Sequence, residues 1–165
     1  MAFEGRTDGS VKIYVAEQLN LAPARPRDQV FIRGDEVELA MVDEATGDLF
    51  GGVVYDHFNF EGPQTCFVNV VTGRQWTNNR LQVVFGNPFG NLGIIKMFAL
   101  IEDDDDVTLG FADGLGFVRE QRTYLTTTNP FTGARTTYQL WSLSNGDLVI
   151  GRGPPPNEPA FGGPE

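Results

Sequence analysis

A chain of 165 residues with 41% apolar side chains has the length of one domain and enough apolar content to bury a core. Its 22 acidic and 12 basic side chains leave a formal charge of −10, and the two lysines, Lys12 and Lys96, form no cluster, which argues against nucleic acid or an anionic membrane as partner. A single cysteine and a single histidine exclude an internal disulfide and a conventional zinc set, so no metal is expected.

Residues 1–9 are polar and contain glycine, and read as an arm that lacks the basic and apolar regions of a signal peptide. Ser10 is placed to cap a helix, VKIYVAEQLN, in which Val11, Tyr14, Val15 and Leu19 recur at helical spacing. Asn20 and the segment LAPARP end it. VELAMVD and LFGGVVYDHF, joined by Ala45-Thr46-Gly47-Asp48, read as an antiparallel hairpin. After Gly62-Pro63 comes a strand, TCFVNVVT, with Cys66 as a small buried hydrophobe. No apolar run reaches the roughly 20 residues of a membrane span.

From Trp76 the period becomes helical: Trp76, Leu81, Val84 and Phe85 share one side, and Asn78, Asn79 and Gln82 lie outside it. Gly86-Asn87-Pro88 interrupts that helix or starts a new turn. IIKMFALI lacks strict alternation and reads as a central strand covered on both faces. The acids Glu102 to Asp106 lack the spacing of a calcium loop and suit the head of a helix, VTLGFADGLG. Residues 117–127 and 135–143 read as a second hairpin around Asn129-Pro130 and Thr132-Gly133, with Leu148-Val149-Ile150 as a short edge strand. Residues 151–165 are a Pro/Gly tail, leaving one domain over residues 10–150.

The order strand, strand, helix, strand, helix, strand over Gly51 to Arg122, closed by Leu115-Gly116-Phe117, resembles the Gcn5-related N-acetyltransferase superfamily. More narrowly it resembles short acetyltransferase-like proteins of tailed phages. The resemblance implies an α/β (α+β) fold with a central mixed sheet flanked by helices. It also implies that acetyl-CoA, where it binds, lies between two parallel strands with its pyrophosphate on backbone N–H groups at a helix start.

The superfamily motif there, Gln/Arg-x-x-Gly-x-Gly/Ala, falls on Gly73, Trp76 and Asn78, none of which agrees. Arg74, Gln75, Trp76, Asn78 and Arg80 are the candidate cofactor contacts. In the later helix Asp105 and Thr108 stand where the family has asparagine and alanine, and Phe111 takes the leucine position. Ala112 falls where a tyrosine protonates the departing thiolate. Tyr124 is the substitute general acid, and Asp56 with His57 the candidate base. Adjacent strand residues point to opposite faces, so Asp56 and His57 are not expected to serve one cleft together.

Two functions follow from the resemblance. The degenerate motifs and Pro-rich tail favour a non-catalytic structural or assembly component of a tailed-phage particle, without cofactor. It would occupy the host cytoplasm during assembly and then the virion. Its partners would be other virion or assembly proteins or further copies of the chain, contacted through Pro155, Pro159 and Phe161. The alternative is an N-acetyltransferase moving acetyl from acetyl-CoA to an amine.

Overall fold

Among the described residues, seven strands form one mixed sheet: β1 (Ala2–Arg6), β2 (Val37–Val42), β3 (Leu49–Asn59), β4 (Thr65–Thr72), β5 (Lys96–Glu102), β6 (Val118–Thr128) and β7 (Arg135–Ser144). Their spatial order is β1-β2-β3-β4-β5-β7-β6. The helices are α1 (Ser10–Leu19), α2 (Asn78–Leu81), α3 (Asn87–Asn91) and α4 (Asp106–Leu115), and a π-helical turn, Gln82–Gly86, joins α2 to α3. This computed structural model describes residues 2–6, 8–19, 36–59, 61–72, 76–128, 133 and 135–150. The central sheet with flanking helices is the mixed α/β architecture expected from the sequence.

β4 and β5 are parallel, and the other neighbouring pairs are antiparallel. A parallel pair needs a crossover, and the helical segment from Asn78 to Asn91 supplies it. β1 falls within the residues read as an arm, yet it pairs with β2 from Ala2↔Val42 to Arg6↔Glu38. Phe3 packs against the main core, while the charged Glu4 and Arg6 suit an edge strand.

α1 lies on one face of the sheet. Val11 and Val15 are fully buried there with Ala40, Val54 and Val71. A Cβ on Gly52 would stand 2.9 Å from methyls of both Val11 and Val15, so the missing side chain lets the helix approach the strand. The cap differs from expectation. Asp8 accepts hydrogen bonds from the Ser10 amide at 2.9 Å and hydroxyl at 2.6 Å. These bonds hold the Asp8 carboxyl below its ordinary 3.8.

The opposite face carries the larger core. Trp76, Leu81, Val84, Phe85, Phe111, Leu115 and Phe117 pack there over Val68, Val70, Met97, Ala99 and Ile101. The π-turn has a local cause. Pro88 lacks the N–H that would serve the Val84 carbonyl in a regular α-helix, and the buried Tyr55 hydroxyl donates to that carbonyl instead at 2.5 Å.

α4 begins at Asp105, whose side chain accepts from the Thr108 amide at 3.1 Å, so the acidic run does cap a helix. It ends at Gly116, with φ of 100°. A Cβ at Gly116 would also meet the Asp147 carbonyl at 2.2 Å. Both requirements select glycine.

Two local readings change. β5 alternates strictly, with Met97, Ala99 and Ile101 buried and Lys96, Phe98, Leu100 and Glu102 only partly so. Residues 148–150 form no strand; the Val149 amide donates to the Leu115 carbonyl at 2.9 Å, tying this segment to the end of α4.

Candidate functional site

β4 and β5 stay together over only three register pairs, Thr65↔Lys96, Cys66↔Met97 and Phe67↔Phe98. β4 then continues to Thr72 on β3, from Val68↔Tyr55 to Thr72↔Gly51, and β5 continues to Glu102 on β7. Val68–Thr72 and Ala99–Glu102 therefore face one another across a splay with no ladder between them. Interior strands with open main-chain edges form a slot for an extended, amide-bearing ligand.

Asp56 and His57 sit beside the point where the strands part, since Asp56 is opposite Phe67. The alternation rule fails here. The β3–β4 register shifts between Asp56 and Asn59, and His57 has φ of 53°, alone among the described non-glycine residues in being positive. A left-handed histidine costs on the order of 1–3 kcal/mol and persists only where neighbours enforce it. The bulge turns the imidazole back on its neighbour, and His57 Nδ1 lies 3.0 Å from Asp56 Oδ2. The two residues expected on opposite faces thus form one pair.

Asn69 completes that cluster. Its Nδ2 donates to Asp56 Oδ1 at 3.0 Å and to the Val54 carbonyl at 3.1 Å. Asp56 and Asn69 are buried at 4% and 6% exposure, whereas the His57 side chain is half exposed. The imidazole meets Phe67 edge-on at 5.9 Å, and Phe67 lies 5.4 Å from Phe98. Lys96 Nζ stands 5.9 Å from the Phe98 ring centre and 3.5 Å from Glu120 Oε1. The Ser142 hydroxyl donates to that Glu120 oxygen at 2.5 Å, which with the nearby Lys96 charge holds the carboxyl below its usual range. Sequence reasoning missed Asn69 and Glu120. An amide inside the apolar run of TCFVNVVT was the available signal for Asn69.

The other sequence candidates are placed differently. The Trp76 indole, expected beside the pyrophosphate space, is 1% exposed, with ring contacts to Phe85 at 5.5 Å and Phe111 at 5.6 Å. Its large apolar surface gains more in the core than at a wet cleft. Thr77 caps α2 by accepting from the Arg80 amide at 3.2 Å, so Asn78 opens the helix. The Arg80 guanidinium lies 5.4 Å from the Phe50 ring centre.

Ala112, at the family's tyrosine position, is fully buried. The Tyr124 backbone belongs to β6 opposite Gln139. Arg74, Gln75, Pro155, Pro159 and Phe161 lie outside the described residues. Cys66 is buried, and burial, followed by the Asp56 charge, pushes its thiol up to about 12. It stays a thiol. Glu102, at the far end of β5, is raised by burial and by Asp104 and Asp105.

No protein-family model and no curated protein matches the chain. Solved structures do. A ribosomal-protein-S5-alanine acetyltransferase from Vibrio fischeri superposes with a TM-score of 0.64 at 17% identity, covering 90% of this chain and 96% of that one. A spermidine N-acetyltransferase variant from Vibrio cholerae gives 0.66 at 12% identity over 87% and 95%. A ribosomal-protein-alanine N-acetyltransferase from Brucella melitensis gives 0.64 at 14% identity over 87% and 99%. The sheet order, the splayed parallel pair and these superpositions agree, and the chain has the fold of the Gcn5-related N-acetyltransferases.

Proposed function

We propose that this chain is an N-acetyltransferase that receives acetyl-CoA between β4 and β5 and passes the acetyl group to an amine. The splay carries this reading. Val68–Thr72 and Ala99–Glu102 part from each other while each strand keeps its outer partner. The extended arm of CoA bears amides that match such an open edge, and its thioester supplies an activated acetyl carbon with a thiolate leaving group.

The helix that follows β4 supports the same reading. Asn78 and Asn79 occupy its first turn, where N–H groups have no acceptor within the helix and attract phosphate. Because Trp76 turns its ring into the core, the bulk at the motif's glycine position is directed away from the helix head. Asp56 and His57 put a carboxylate and an imidazole beside the splay, and an amine must lose a proton to be acylated.

A second reading keeps the fold without the chemistry: a non-catalytic assembly component, for which the tailed-phage resemblance suggests a particle as the setting. Buried Ala112, which has no proton to donate, favours it. Isothermal titration of the whole protein with acetyl-CoA separates the two. Micromolar binding, followed by acetylation of a panel of amines detected by mass spectrometry, is expected. No binding at millimolar acetyl-CoA overturns the transferase reading.

A further inference from the structure

We propose that Asn69, Asp56 and His57 form a proton relay at the apex of the splay. His57 Nε2 exchanges the proton, Asp56 fixes the imidazole tautomer, and Asn69 is the residue that positions Asp56. The inference rests on the acetyltransferase reading for its reaction, but its geometry stands independently.

Each link is oriented by the polar atoms that face one another. Asn69 Nδ2 faces two acceptors, the Val54 carbonyl and Asp56 Oδ1, so the nitrogen of the amide must point this way. Asp56 then has one oxygen on Asn69 and the other on His57 Nδ1. A carboxylate at Nδ1 places the proton there and leaves Nε2 as the bare base. Carboxylate, imidazole and reacting group stand in the same relation in serine hydrolases.

The position suits the task. The imidazole is half exposed and abuts Phe67, half of the last β4–β5 register pair. The left-handed backbone at His57 is what directs the ring toward Asp56 rather than across the strand. In the reaction, His57 Nε2 takes the proton lost by the amine nitrogen as that nitrogen bonds to the acetyl carbon. The carbon–sulfur bond breaks with its electron pair on sulfur, and the His57 imidazolium returns the proton to that thiolate. One imidazole therefore covers both transfers, and an alanine at position 112 is compatible with turnover.

His57 is the only histidine in the chain, so its imidazole can be read without assignment. Long-range proton–nitrogen NMR of the full-length protein, at a pH where the ring is neutral, should show the Nδ1–H tautomer rather than the Nε2–H form that free histidine favours. Asp56→Ala should restore Nε2–H, and Asn69→Ala should shift the population toward it. An Nε2–H imidazole in the wild-type protein, or an unchanged tautomer in folded Asp56→Ala, overturns the relay. The wild-type spectrum decides the question even if a variant fails to fold.

His57→Gln, at an exposed ring, should lower kcat about 100-fold or more and leave acetyl-CoA affinity unchanged. Full turnover in His57→Gln overturns the catalytic role. If wild-type protein binds no acetyl-CoA, the transferase reading fails, and the tautomer still judges the triad.

Discussion

Beyond the apolar patch under α1, the two faces of this sheet are built on opposite terms. On the α2–α4 side Trp76, Phe85, Phe111 and Phe117 meet ring to ring, and polar links such as the Tyr55–Val84 and Trp141–Gln139 bonds are set within or at the rim of a largely apolar layer. On the other side, along β3, β4, β6 and β7, Asp56, Asn69, Glu120 and Ser142 take positions at or near the core. Their hydrogen bonds join neighbouring strands. Burying polar groups adds little net stability even when they are satisfied. The contrast teaches that the aromatic layer holds the splayed strands in place, and the polar layer is available for chemistry.

The contrast breaks most sharply in the aromatic layer. Phe117→Ala and Trp76→Ala should each cost about 3–5 kcal/mol, through lost burial and the cavity left behind. Denaturant titration should show the midpoint falling with little change in slope. A loss below roughly 1 kcal/mol for Phe117→Ala would mean that the layer is not what anchors α4 to the sheet.

Those anchors were legible because apolar spacing reports directly on burial. Trp76, Leu81, Val84 and Phe85 announced a helix face, and the β4–helix–β5 order announced a parallel crossover. β1 was not legible, because Ala2–Arg6 pairs through its backbone and carries no apolar alternation. The Asp56–His57 pair was hidden for a different reason. Strand alternation separates neighbouring side chains, and only the register shift and the left-handed His57 bring them together. Pairing across strands, unlike periodicity along one, leaves little trace in sequence, so Asn69 reads as an odd residue until Asp56 is seen beside it.

Removing a link from the polar layer should cost less than removing a ring. Asn69→Ala removes a side-chain donor from the buried Asp56 carboxylate, an expected loss of about 1.5–3 kcal/mol. An effect as large as that of Phe117→Ala would make Asn69 part of the main stabilising core and weaken the division between the faces. The comparison sharpens further at Tyr55→Phe. That change withdraws the donor from the Val84 carbonyl beside Pro88 and should cost about 1–2 kcal/mol. Hydrogen exchange should speed up in the π-turn residues before it does so in β5.

The smallest effect belongs to Ser142→Ala, and pH gives it a signature. The Ser142 hydroxyl is the main cause of the lowered Glu120 pKa; burial opposes it, and Lys96 adds to the lowering. A carboxyl whose folded pKa lies below its unfolded value, about 4.3, contributes stability above that value. The contribution is lost as pH falls through the folded pKa. Wild-type protein should therefore exceed Ser142→Ala at neutral pH, by under about 1 kcal/mol because Glu120 is partly exposed and screened. The two should converge in acid as Glu120 protonates in both. A stability difference that stays constant from neutral pH down to pH about 3 would assign the loss to packing around buried Ser142 rather than to the carboxylate it serves.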